Sequence, residues 1–154
     1  MVTAYITTRV SAPTVEDWAK LKRTITFLKQ TNNDKQIIGC NDLQSLHTWI
    51  DAAYAVHPDM RSQTGGTMSM GWGTLHSKSL KQKLNTKSST KSEIVGLSKY
   101  LPYNIWWVNF LKEQGYHIVN NVIYQDNKSA ICMERNGRNS CTGNLRHIDI
   151  RYFL

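Results

Sequence analysis

Cysteine is scarce in this chain, with three among 154 residues, at positions 40, 132 and 141. An odd number, wide spacing and the lack of a Cys-x-x-Cys pair argue against both a disulfide framework and a zinc site, so idle thiols in a reducing compartment are expected. No apolar run approaches the roughly 20 residues that cross a bilayer, and the first residues lack the basic start and apolar centre of a secretion signal. These absences lead to the expectation of a soluble intracellular protein, in cytoplasm or nucleus, with no membrane partner. Internal repeats and low-complexity segments are missing too. Acids are the minority charge: 11 Asp and Glu against 19 Lys and Arg leave a formal +8. That balance favours a polyanionic partner, although a plain solvated surface carries the same excess. A hydrophobic content of 40% with five Trp suffices for the core of one domain.

The opening stretch, residues 1–12, is rich in β-branched residues and reads as short and β-prone. Pro13 and Thr14 then mark a helix start with Glu16 and Asp17 in its first turn, and Val15, Trp18, Leu21, Ile25 and Leu28 recur at helical spacing to about Gln30. From Leu43 the period changes to an alternation that predicts a strand reaching Asp51, apolar on much of both faces. Arg61 to Gly66 reads as a turn, and the segment from Thr67 to Trp72 and the stretch after Gly73 read as two further antiparallel strands around Gly71-Trp72-Gly73, a three-strand meander in all. A helix is predicted from Ser88-Ser89-Thr90, interrupted at Pro102, with a second piece from Tyr103 to Gln114 stopped by Gly115. Ile118 to Tyr124 reads as a strand, residues 127–135 as a helix, and another helix is expected near Arg146. The order implies an α/β fold, a mixed sheet flanked by helices.

Three acids stand in informative settings: Asp51 and Asp126 where strands end, and Glu93 within a helix. Taken singly, each has a structural explanation. Asp51 can cap a turn, Glu93 can be a solvated acid favoured by the helix dipole, and Asp126 can cap the helix that follows. Taken together, carboxylates at strand ends and on a neighbouring helix can converge on one pocket, where their repulsion is relieved by protons or by hard metal ions.

The strings around these acids carry a resemblance. Ile50-Asp51-Ala52-Ala53-Tyr54-Ala55, then Arg61-Ser62-Gln63-Thr64-Gly65-Gly66 and Ser77-Lys78-Ser79-Leu80-Lys81-Gln82-Lys83, occur in the order seen in the ribonuclease H domain of copia-type retrotransposon polyproteins. Ser88-Ser89-Thr90-Lys91-Ser92-Glu93 resembles that family's serine- and threonine-led helix with its glutamate. Gln125-Asp126-Asn127-Lys128-Ser129-Ala130-Ile131 resembles its aspartate-asparagine motif, and Arg146-His147-Ile148-Asp149-Ile150-Arg151-Tyr152 its closing helix. Further upstream, Ser11 to Trp18 with Phe27-Leu28-Lys29 is similar to the last helical segment of the reverse transcriptase that precedes this domain in such polyproteins.

The resemblance implies the following expectations. Residues 1–38 would be the C-terminal end of a reverse transcriptase, joined in a Pol polyprotein to a ribonuclease H-like domain, 39–154, that lacks its last strand and helix. Asp51, Glu93 and Asp126 would be catalytic, binding two magnesium ions, with manganese as substitute, to cut the RNA strand of an RNA/DNA hybrid. Asn127 would steady Asp126. On the residues' own placement, Lys78, Lys81, Lys83 and Lys87 crowd the approach to Glu93 and are expected to grip phosphates, with a solvated basic loop as the alternative for any one of them. Lys91 and Ser92 stand where the family has an acid and an alanine, which lowers the expected local affinity for metal. Asp149 belongs by motif position to the closing helix and pairs more naturally with Arg146 or Arg151 than with a metal, and His147 is left out of the site. Two competing readings are a non-catalytic nucleic-acid-binding remnant of the same domain and a relative of the transposases and integrases. The oligomeric state is not legible.

Overall fold

The computed structural model describes residues 2–136. The expected helix near Arg146, with His147 and Asp149, and Cys141 lie outside the described residues. The chain divides into two compact units, one over Met1–Ile37 and one from Ile38 onward.

The first unit is a pair of helices. α2 (Val15–Gln30) starts where Thr14 caps it: the Thr14 hydroxyl accepts from Asp17 N–H, and the Asp17 carboxylate accepts in return from Thr14 N–H at 2.9 Å. This reciprocal pairing satisfies two donors that a helix start otherwise leaves exposed. The opening stretch is helical rather than extended, as α1 (Val2–Thr7). An isolated strand there would have no sheet partner, whereas a helix lets the Thr7 and Thr8 hydroxyls donate back to Ala4 and Tyr5 carbonyls and sets the Tyr5 ring beneath Lys20 Nζ.

The second unit is built on a four-stranded mixed sheet in the order β5-β3-β2-β6, with β2 Ser45–Ala53, β3 Gln63–Ser69, β5 His76–Lys81 and β6 Asn120–Tyr124. β2, β3 and β5 form an antiparallel meander, and β6 runs parallel to β2 with Trp49 beside Tyr124. A two-residue ladder joins β1 (Gly39–Cys40) to β4 (Gly71–Trp72). With α3 (Ser89–Glu113) packed on one sheet face and α4 (Lys128–Asn136) against α3, this is a ribonuclease H-like α/β arrangement. The core between sheet and helix holds Leu46, Ile50, Met68, Tyr100, Leu111 and Ile118. The opposite face of β2 and the edge strand β6 carries His47, Trp49 and Tyr124, whose rings stack across the two strands. No helix among the described residues is long and apolar enough to cross a membrane.

Three boundaries differ from the sequence expectation. Residues 61–66 are not all turn: β3 begins at Gln63 and includes both glycines. A Cβ on Gly66 would collide with the ring of Tyr100, so the close approach of α3, not a bend, is what requires glycine there. At the other end, β3 stops at Ser69, because Gly71 adopts φ 147° and turns the chain out of the main sheet to pair with β1. Finally, α3 runs through Pro102 without a break. The ring costs one backbone hydrogen bond, but Pro102 lies on the exposed side, and Tyr100, Asn104 and Leu111 on the buried side anchor both halves to the sheet.

Candidate metal centre

Strand alternation decides where Asp51 points. On β2, Leu46, Thr48, Ile50 and Ala52 are buried at 0, 0, 3 and 5% exposure, which leaves the intervening Trp49 and Asp51 exposed on the other face. Asp51 lies within β2, opposite Gly65, rather than in a turn. The parallel register with β6 ends at Trp49 and Tyr124, and each aspartate follows two residues later, Asp51 on β2 and Asp126 in the link from β6 to α4.

The capping role open to Asp126 is filled by its neighbour. Asn127 Oδ1 accepts from Ala130 N–H at 3.0 Å and the Asn127 carbonyl accepts from Ile131 N–H, so Asn127 caps α4 and the Asp126 carboxylate is left exposed. The Asn127 side chain therefore fixes the helix start immediately after Asp126.

Glu93 arrives from the second turn of α3, whose N-cap is Ser88. It is buried at 5% exposure. Its Oε1 accepts from Ala52 N–H at 3.2 Å, and its Oε2 accepts from Gln125 Nε2 at 3.1 Å. Burial pushes the carboxyl above its usual range; the two hydrogen bonds draw it down, and the negative charges of Asp51 and Asp126 raise it again. Lys91 sits two positions earlier on the helix, and residues two apart do not share a helix face.

One ligand oxygen each of Asp51, Glu93 and Asp126 lies within 4.8 Å of the others. Three carboxylates so close, with all donors oxygen and none nitrogen or sulfur, form a candidate site for a hard divalent cation. The ion pairs of Arg9 with Asp17 and of Arg61 and Lys81 with Asp59 engage other acids. Two residues of this centre escape sequence reading. Gln125 looks like an ordinary polar residue beside a motif acid, and the Ala52 contact is made by a backbone amide that carries no sequence signal.

The lysines take up different positions. Lys78 and Lys81 are on the edge strand β5, where Lys78 Nζ lies over the Tyr103 ring and donates to its hydroxyl, and Lys81 Nζ pairs with Asp59 at 2.8 Å. Lys83 and Lys87 are exposed in the link between β5 and α3. Cys40 and Cys132 carry free, exposed thiols.

The chain is 31% identical over 141 residues to the retrovirus-related Pol polyprotein from transposon TNT 1-94 of Nicotiana tabacum, a match that takes in 91% of this chain and 10% of that polyprotein. The chain thus spans about a tenth of the length of the curated relative it matches. No family model and no solved structure matches it. Its similarity along nearly the whole of its length supports an origin for this chain in a retrotransposon Pol polyprotein.

Proposed function

We propose that residues 39–154 form a ribonuclease H-type endonuclease of a retrotransposon Pol polyprotein, which hydrolyses the RNA strand of RNA/DNA hybrids, and that residues 1–38 are the end of the adjoining reverse transcriptase. The observation that carries the reading is the meeting of Asp51, Glu93 and Asp126 within 4.8 Å, although they come from a central strand, a helix and a strand-helix link. Magnesium, held by these three, would supply the positive charge that polarises the phosphodiester and activates water for attack.

The chain's own residues have defined parts in this scheme. Without a cation, three clustered carboxylates repel a phosphate, so hydrolysis depends strictly on metal. Glu93, held at both oxygens, keeps one orientation, while exposed Asp51 and Asp126 present their oxygens on the side open to a duplex. Asn127 limits the movement of Asp126 by capping α4. Lys83 and Lys87 draw in the nucleic acid through its phosphates without reading its sequence. Selection of a hybrid over duplex DNA then comes from helix shape and 2′-hydroxyls.

The test is cleavage of an end-labelled RNA/DNA hybrid by the purified chain. Magnesium-dependent cutting of the RNA strand, abolished by chelator and by Asp126→Asn with hybrid binding retained, is the expected result. A folded chain that binds the hybrid and never cuts it would leave the non-catalytic remnant as the correct reading. Processing of DNA ends with the hybrid left intact would point instead to strand-transfer chemistry.

A further inference from the structure

We infer that Gln125 is a positioning residue for the carboxylate centre, locking the orientation of Glu93 to the start of α4; this rests on the metal-centre reading above. Glu93 is the buried member of the trio and the only one of the three contributed by a helix. Its carboxylate has to be brought into line with two aspartates on other elements, and the main-chain ladders of the sheet cannot do that.

The side chain of Gln125 makes the connection from both ends of its amide. Nε2 donates to Glu93 Oε2 at 3.1 Å, and Oε1 accepts from Asn127 N–H at 3.0 Å. A reversed amide would set oxygen against carboxylate and N–H against N–H, so the two contacts fix each other's sense. Asn127 in turn caps α4 through Ala130 N–H, and Glu93 Oε1 is held by the amide of Ala52, next to Asp51. An unbroken series of hydrogen bonds therefore runs from α4 through Gln125 and Glu93 to β2, and it passes next to Asp126 and Asp51 in the chain.

The residue type at 125 fits this task. A lysine or arginine would reach Glu93 but bring a positive charge that competes with the cation. A glutamate could accept from Asn127 but could donate nothing to Glu93 when ionised. Glutamine is neutral, donates and accepts at once, and leaves each Glu93 oxygen with a lone pair directed elsewhere. Removing partners of this kind from around a metal ligand weakens metal affinity by about 10- to 100-fold.

The experiment is a calorimetric titration with Mg2+ at fixed pH for the whole chain and for Gln125→Met, which keeps the volume and removes both hydrogen-bonding ends. Its companions are melting curves in chelator and the Mg2+ concentration that half-saturates hybrid cleavage. Gln125→Met is expected to bind Mg2+ about tenfold more weakly, to shift half-saturation upward by the same factor, and to keep the rate at saturating Mg2+. Should Gln125→Met not fold, Gln125→Asn, one methylene too short to reach Glu93, gives the same weakening. If the variants bind Mg2+ as the unaltered chain does while Asp126→Asn does not, the positioning role is overturned and the metal centre stands. If the unaltered chain binds no Mg2+, the centre itself is overturned, and the role of Gln125 with it.

Discussion

Asn104 of α3 and Asn121 of β6 exchange a reciprocal pair of side-chain hydrogen bonds, at 2.9 and 2.7 Å, and the same Asn104 amide donates at 2.8 Å to Thr48 of β2. Asn104 and Thr48 are both fully buried. The three elements joined there are α3 and β2, which carry Glu93 and Asp51, and β6, which leads directly to Asp126. A parallel strand pairs with its neighbour without a tight turn to set its register, and the carboxamide bridge ties β6 to the helix directly, beside its ladder with β2.

Replacing Asn104 by Leu therefore removes the carboxamide that serves both neighbours and leaves the Asn121 amide and the buried Thr48 hydroxyl without it. A reduction of about 1–3 kcal/mol in stability to urea is expected. Magnesium affinity should fall as well, because the slippage is between the elements that carry the acids. An unchanged affinity in the folded variant would show that the bridge stabilises without aligning the site.

Gly66 tests the contact between sheet and helix. An alanine there meets the Tyr100 ring, which is buried at 1% exposure with its hydroxyl 3.0 Å from His76 Nδ1 and so has little room to retreat. Gly66→Ala should cost about 1–3 kcal/mol, as overpacking of cores does. Pairing it with Tyr100→Leu should cost less than the two changes added, and a double-mutant cycle measures the difference.

The raised Glu93 carboxyl gives a pH dependence of known sign. Its folded pKa lies above the unfolded value, so as pH rises the unfolded chain releases this proton first. The metal-free fold therefore loses stability from this group across the interval between the two values, and regains it on acidification. Asp126→Asn removes one of the neighbouring charges that raise Glu93. In chelator at neutral pH the variant should melt higher than the unaltered chain, and in saturating Mg2+ the order should reverse, since only the intact trio gains from metal. A variant that melts lower in both conditions would show that repulsion among the three acids is negligible.

The lysines separate by their partners. Lys83→Ala with Lys87→Ala should weaken hybrid binding evenly over sequences, and should reduce the slope of log affinity against log salt by about 1 for each phosphate that is no longer neutralised. Lys81→Ala also breaks the pair with Asp59, so its effect on binding should be accompanied by a change in the loop between β2 and β3. Fluorescence titration over a range of salt concentrations distinguishes the two cases.

Local chemistry was sufficient wherever a short span of sequence decides the outcome. The start of α2 is legible from Pro13, Thr14 and Asp17, because a capping box is closed within four residues. The strand-to-helix passage through Asp126 and Asn127, the stop at Gly115 and the alternation of β2 are legible on the same ground. The three acids could be singled out by their settings and by the order of the motifs around them. Residues 2–7 as helix, glycines inside β3 and an unbroken helix across Pro102 were not legible, since each depends on a distant partner: Lys20 for Tyr5, Tyr100 for Gly66, and the sheet for both halves of α3. Only the tertiary structure could decide that a parallel register, a helix crossing the sheet and one glutamine amide bring three separated carboxylates within 4.8 Å. Chain entropy keeps those charges apart in an unfolded chain and repulsion opposes their meeting, so the packing free energy of the whole unit is what holds them together.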